Sequence, residues 1–565
     1  MNMRNLTNTE IAILEQQGCT AEDWMQILVA DDFQANRISR VNFFGHIVIG
    51  SLLGMVTVEE GFQRPCGIYN ATLKDVSIGD GCFIENVGGY IADYSISDHC
   101  YIANIGIMTT QGIPAFGNGT VVSVLNEGGD GNVVIYDRLT AQIAWLMLHD
   151  ESVRQMALRE IASRPQMDKG EVGEGCRIVG VKEIQNALIQ SYCEIQGASR
   201  LSNVTLLSSD DAPTYIGTDT IIENTVVALG ATVTDGAKVD NCFVGESVHI
   251  GKGFSAEASL FFANSYMDNG ESCAAFCGPF SCSHHKSTLL IGGQFSFYNA
   301  GSGTNQSNHA YKMGPIHWGI LERGAKTASG CHILWPAHIG VFSMVMGKVA
   351  EHPRIQNLPF SYVISTREKT YIVPGINLRT VGTWRDVGKW PKRDGRPQLA
   401  RRDIINHSFP NPYIIQFVYA GIELLNTLVE QQGKDADEYK FEGCYIKRRA
   451  LLAGLKYYQL ALRLYPSAKP TDEWLDLAGM IAPKKQIDDL LTDIEEGDVK
   501  TSDEVVSRLQ TLNRDNRYQY SIVQTIDYAE AHDEWLDMVR RDAEKEFEMG
   551  DVDEQQLKEF LEKLK

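Results

Sequence analysis

Seven of the thirteen histidines in this chain fall between His284 and His352. The densest run is Ser283-His284-His285-Lys286-Ser287-Thr288, followed by Gly301-Ser-Gly-Thr-Asn305-Gln-Ser-Asn308-His309-Ala-Tyr311-Lys312. Imidazoles, amides, hydroxyls and amines with few aliphatic neighbours suit a polar loop that binds or reacts. Imidazole titrates near pH ~6.5, so a neutral base is available at physiological pH. His285 and His309 are therefore the candidate catalytic bases. His284, Lys286, Asn305, Asn308, Tyr311, Lys312, His332 and Trp335 are the candidate substrate contacts.

A second constellation is electrostatic. Arg379, Arg385, Lys389, Lys392, Arg393, Arg396, Arg401 and Arg402 stand against only Asp386 and Asp394, in a chain whose net charge is −21. Guanidinium and ammonium groups pair with phosphate oxygens, and the interleaved Trp384 and Trp390 could stack on a base. Arg385, Lys389, Trp390, Lys392 and Arg393 are thus candidates for holding a phosphate-bearing ligand. The competing explanation is a basic connector that docks on acidic helices through ion pairs.

The elements that position these groups are written in a repeat. Residues 77–86 and 95–104 match at an offset of eighteen through Ser77/Ser95, Ile78/Ile96, Asp80/Asp98, Cys82/Cys100, Ile84/Ile102 and Asn86/Asn104. Within it runs a step of six: Ile78, Ile84, Tyr90, Ile96, Ile102. Nested periods of this kind predict a solenoid with three short strands per coil. Cys82, Cys100, Cys176, Cys193, Cys242 and Cys331 each stand two residues before an inward aliphatic residue, which predicts small, reduced core residues. Cys273, Cys277 and Cys282 fall outside that slot. His249, His332 and His338 each precede an inward isoleucine and are expected to point outward.

The pattern divides the chain into a helical N-terminal cap (1–41), a first β segment (42–137), a helical insertion (138–166) and a second β segment (167–380) interrupted by a polar loop (263–315). A basic connector (381–410) and an α-helical C-terminal domain (411–565) follow, the latter read from long amphipathic stretches such as 442–464 and 472–495. The acidic balance argues against nucleic-acid binding. No segment reads as a signal peptide or spanning helix, so a cytoplasmic protein without a membrane partner is expected.

The run of hexads resembles the left-handed parallel β-helix of the hexapeptide-repeat transferases. His285-Lys286-Ser-Thr-Leu-Leu-Ile291-Gly292 looks like the His-Lys-x-Thr-x-Ile-Gly run of domains that acetylate amino-sugar phosphates. The resemblance implies an acyltransferase-like enzyme. An acyl group would pass from acetyl-CoA or another acyl-CoA to a sugar, sugar phosphate or nucleotide sugar, with a loop histidine as base and no metal. It also implies a homo-oligomer, a trimer favoured. The chain further resembles long bacterial hexapeptide-repeat proteins labelled as sugar-nucleotide transferases, although residues 1–60 hold no Gly-rich nucleotide loop. Two alternatives stay open. One is a zinc enzyme using His249, His332 and His338, as in β-helical carbonic anhydrases. The other is a non-catalytic scaffold.

Overall fold

A computed structural model describes residues 3–307, 318–398, 401–465, 469–517, 526–549 and 552–564. Its body is a parallel β-solenoid. One ladder of inward residues runs Val29, Ile49, Ile78, Ile96, Val172, Ile189, Leu206, Val227, Val244, Phe261, Cys277, Phe295, Leu321, Ile339. A second face stacks Ile38, Ile68, Ile84, Ile102, Ile178, Ile195, Ile216, Val233, Ile250, Met267 and Ser283. Each rung donates its strand-edge hydrogen bonds to the next, and burial of the stacked side chains is the main stabilising term.

The six cysteines of the repeat are fully buried free thiols, as their slot predicts. Asparagine marks one corner. Asn70, Asn86 and Asn104 all have φ near +55° and chain their side-chain amides, Asn70 Nδ2 to Asn86 Oδ1 at 3.2 Å and Asn86 Nδ2 to Asn104 Oδ1 at 3.1 Å. Asn tolerates the left-handed region and its amide joins one coil to the next, which explains the Asn86/Asn104 match.

The N-terminal cap is only partly helical. Helix α1 (Asn8–Gln16) carries the expected Thr7–Glu10 capping box. Strands at Ile27–Ala30 and Ile38–Phe44 already belong to the solenoid, so the coil begins inside the predicted cap. Between Thr109 and Gly170 the chain leaves the coil to form an antiparallel hairpin (Thr120–Ser123 with Asn132–Ile135) and helices α2 (Ala141–His149) and α3 (Glu151–Ala162). This excursion covers the outward residues Val226, Phe243, Leu260 and Phe276, which are buried in a second apolar cluster beside the first face.

The predicted polar loop is coil as far as residue 307. Gly270–Cys273, Phe276–Cys277, Cys282–Ser283, Thr288–Ile291 and Gln294–Phe295 are parallel rungs in register with their predecessors. The C-terminal part is less purely helical than predicted. Helices α4 (Val381–Lys389), α5 (Pro412–Gln432) and α6 (Arg448–Arg463) come first. They are followed by α7 (Lys484–Glu496), α8 (Ser502–Arg517), α9 (Ile526–Glu548) and α10 (Glu554–Lys563). Two hairpins, Glu438–Phe441 with Cys444–Lys447 and Trp474–Leu477 with Met480–Pro483, lie in front of α6 and α7. Their turns, Glu442-Gly443 and Ala478-Gly479, place both residues at positive φ, the geometry of a two-residue hairpin. Helix α5 is long and apolar enough to cross a membrane, contrary to the sequence expectation, but it buries Ile414, Ile415, Val418 and Leu425 in the main core.

Candidate functional site

A cavity of about 680 Å³ forms a cleft between the second solenoid face and α4. Its floor is an outward column. Parallel pairing stacks His249 on Tyr266, Tyr266 on Cys282, Cys282 on Asn299 and Asn299 on Lys326. Its wall is the connector, which supplies Arg385, Lys389, Trp390, Arg393 and Gly395. The two constellations read from the sequence therefore meet, His284 from one and the basic residues from the other.

The wall is fixed in three ways. Lys326 at the end of the floor forms a buried ion pair with Asp386 of α4, and Lys389 Nζ holds the other oxygen of that carboxylate at 2.6 Å. Trp390 packs between Phe297 and Phe342, with ring centroids 4.7 and 5.7 Å away. Further along, Asn264 donates to Asp394 at 3.0 Å and accepts from Gly395 N at 2.9 Å. The buried Arg396 then links Asp394 to Glu246. The basic stretch divides into residues that make ion pairs and residues that line the cavity. Arg396, Arg401 and Arg402 dock the connector through Asp394, Glu246 and Asp503. Arg385, Lys389 and Arg393 face the cavity.

Charge in the cleft is strongly positive. Among the residues that line it, Arg385, Lys389 and Arg393 are opposed by Asp386 alone, and Asp386 also pairs with Lys326 behind the lining. Burial pushes the Asp386 carboxyl up, but Lys326 and Lys389 outweigh it and hold the group below the ordinary range. The Arg393 side chain makes no hydrogen bond or ion pair among the described residues, and the Arg385 side chain is 61 % exposed. At the floor, the fully buried Asp268 takes Lys252 Nζ at 2.7 Å and His249 Nε2 at 3.3 Å, leaving little negative potential from that side.

Cys282 Sγ lies 3.0 Å from His284 Nδ1, and both line the cavity. Burial pushes the Cys282 thiol up to about 11, with Lys389 and Arg393 pulling the other way. Burial, then the neighbouring His285, lower the His284 imidazole below its usual value, which favours the neutral ring. Tyr266 meets His284 edge-on at 6.2 Å and stacks on His249 at 4.4 Å.

The remaining predicted residues are dispersed. His285 and Lys286 are exposed at the corner beyond His284 and do not line the cavity. Trp335 is fully buried and donates its indole N–H to Ile291 O at 2.8 Å, so it is a core residue and not a substrate contact. Asn305 and His332 pair on the third face, away from the cleft. Lys392 is exposed outside the cavity, while Trp390 is 6 % exposed with its ring engaged by phenylalanines. Asn308, His309, Tyr311 and Lys312 lie outside the described residues. His249, His332 and His338 sit on the second, third and first faces, so one chain cannot bring them to one metal. His338 is held by Glu322 at 2.6 Å. Ser247, Asn264 and Tyr266 escaped the sequence analysis, and Cys282 figured there only as a cysteine outside the repeat slot. The alternation around Tyr266-Met267 and Cys282-Ser283 is the signal that could have pointed to Tyr266 and to an outward Cys282.

Residues 3–429 match a family model described as a domain of unknown function, DUF4954. The chain belongs to this family. Every residue named in the cleft lies within the DUF4954 match. Residues 458–532, from within α6 to the start of α9, match a second model, the domain of unknown function DUF6819. An uncharacterized protein of Treponema pallidum (strain Nichols) is 24 % identical over 574 residues, covering 88 % of this chain and 78 % of that protein. The similarity thus extends beyond the DUF4954 segment.

Proposed function

We propose that the cleft binds a phosphate-bearing small molecule and that the protein is an acyltransferase-like enzyme of the hexapeptide-repeat type. In this reading Arg385, Lys389 and Arg393 hold the phosphates of a coenzyme A thioester or of a phosphorylated sugar acceptor. His284, which lines the cavity where His285 does not, takes the proton from the attacking group. One observation carries the reading: three cations and an imidazole line one cavity of a strongly acidic protein. The lowered pKa of His284 suits a general base near neutral pH. A cytoplasmic location and assembly as a homo-oligomer accompany this reading, since coenzyme A thioesters are cytoplasmic metabolites and the resembled enzymes work as trimers.

Isothermal calorimetry with acetyl-CoA, run beside a nucleotide sugar, tests the proposal. Saturable binding of acetyl-CoA that weakens in Arg393→Gln supports it. Binding of the nucleotide sugar alone would replace acyl transfer with a sugar-nucleotide activity at the same cleft, and heat from neither would remove the site.

A further inference from the structure

The floor of the cleft carries a nucleophile beside its base. Ten of the twelve cysteines are buried, and the two partly exposed ones are Cys273 and Cys282. Cys282 is the one that lines the cavity, and register is the reason: it stands between Tyr266 and Asn299 in the outward column, so its sulfur faces α4. The strand ends one residue later, and the chain turns so that His284 Nδ1 comes 3.0 Å from Sγ. Lys389 and Arg393 are close enough to act on the thiol electrostatically, which places two cations where negative charge on sulfur or on an attacked carbonyl would develop. Cys273 has no such surroundings; its charged neighbours are Glu127, Glu257 and Glu271.

We propose that Cys282 is the nucleophile of a two-step acyl transfer in which His284 shuttles the proton. This rests on the reading that the cleft accepts an acyl thioester of coenzyme A. In the first step His284 Nδ1 takes the proton from Sγ as the sulfur attacks the thioester carbonyl. The bond to the coenzyme A sulfur breaks, and that departing thiolate receives the proton from His284. The acyl group is now a thioester on Cys282. In the second step His284 takes the proton of an acceptor hydroxyl, whose oxygen attacks the new thioester. Cys282 leaves as thiolate and recovers its proton from His284. One thioester is exchanged for another and then for an ester, with no oxidant or reductant needed. A thiol held protonated by burial needs a base at the moment of attack, and the neutral imidazole beside it meets that need.

Incubation of the full chain with acetyl-CoA and no acceptor, followed by intact-mass and peptide mapping, tests the step. The expected result is one hydroxylamine-labile acetyl group on Cys282. It is absent from Cys282→Ala, formed on the order of a hundredfold more slowly in His284→Gln, and unchanged in Cys273→Ala. Calorimetry on the same preparations separates the two levels. Binding of acetyl-CoA by wild type and Cys282→Ala, with no acetyl on wild type, overturns the nucleophile and leaves direct transfer standing. Absence of both heat and adduct overturns the acyl thioester reading and the covalent step with it. Competitive alkylation gives an independent check. The iodoacetate-to-iodoacetamide rate ratio at Cys282 should exceed that at Cys273 by about tenfold and fall in Arg393→Gln. Equal ratios at the two cysteines overturn an anion-steered nucleophile.

Discussion

Lys326 on the solenoid and Asp386 on α4 form the ion pair that ties the wall of the cleft to its floor. Both side chains are largely shielded, 14 % and 1 % exposed. Burial, helped by the nearby Lys389 and Arg385 charges, lowers the Lys326 pKa, and the Asp386 charge opposes that shift. Removing one partner leaves the other charge desolvated and uncompensated, which is far costlier than losing a surface pair. Asp386→Asn is expected to lose about 3 kcal/mol in urea unfolding and to weaken ligand binding. The double variant Lys326→Met/Asp386→Leu should recover most of the stability but not the binding. A single variant as stable as wild type would show that α4 is held by its other contacts.

Gly324 explains how Trp390 finds its place. The corner positions of successive coils are Phe280, Phe297, Gly324, Phe342 and Phe360, each held by a backbone bond to the coil before. Phe280 stacks on Phe297 and Phe342 on Phe360, at 5.5 and 5.6 Å. Gly324 interrupts the row at φ +73°, and Trp390 contacts the ring on either side of it. A Cβ there would lie 2.8 Å from the Phe342 ring. Gly324→Ala should therefore cost about 1–3 kcal/mol through backbone strain and crowding. It should also shift the tryptophan emission to the red as Trp390 is displaced. An unchanged spectrum and midpoint would show that the corner adapts.

Ligand affinity should follow which cations face the cavity. Arg385→Gln and Arg393→Gln are each expected to weaken binding of a phosphate-bearing ligand about tenfold and to flatten its salt dependence. Lys392→Gln, on an exposed residue outside the cavity, should change neither. Titrations at two ionic strengths decide the matter. Equal losses for Lys392 and Arg393 would mean that only a diffuse positive field is at work.

Much of the solenoid was readable because its inward positions repeat one residue type. The isoleucine ladders and the cysteine slot recur in place, and alternation assigns them to the interior. The signal failed in residues 263–307 because the interior there turns polar. Tyr298 OH lies 3.0 Å from Thr327 Oγ1, Thr304 Oγ1 lies 2.7 Å from the same atom, and Gln306 Nε2 donates to Tyr298 OH at 3.4 Å. These groups satisfy one another inside the coil, so a hydropathy pattern reads the stretch as loop. The step also shortens, with Tyr266 pairing with Cys282 sixteen residues later, and the repeat of eighteen no longer predicts which side of the strand Cys282 faces. The hairpins before α6 and α7 were missed because their apolar residues continue into the helices. Convergence of the basic stretch on His284 was not legible either. It depends on which face α4 returns to, and the ion pair, the glycine corner and the asparagine contacts that decide this are all long-range.

His407 provides a pH test of the packing behind the cleft. Its ring meets Phe280 and Phe297 edge-on, and Nδ1 is buried without a hydrogen-bond partner. Burial, then the charge of Arg323, push its pKa down to about 4; Arg396 and Arg401 act in the same sense, and Asp394 opposes them. An unfolded histidine titrates near ~6.5, so between the two values the unfolded chain binds the extra proton. The contribution is fully present above pH ~6.5 and is lost as pH falls through the folded value. Relative to His407→Phe, wild type should therefore lose stability progressively as pH falls from about 6.5 to about 4, with no difference in slope above neutrality. Denaturant midpoints of the two proteins across that range provide the measurement. Parallel curves would mean that water reaches Nδ1 and that the ring is not held neutral by its aromatic surroundings.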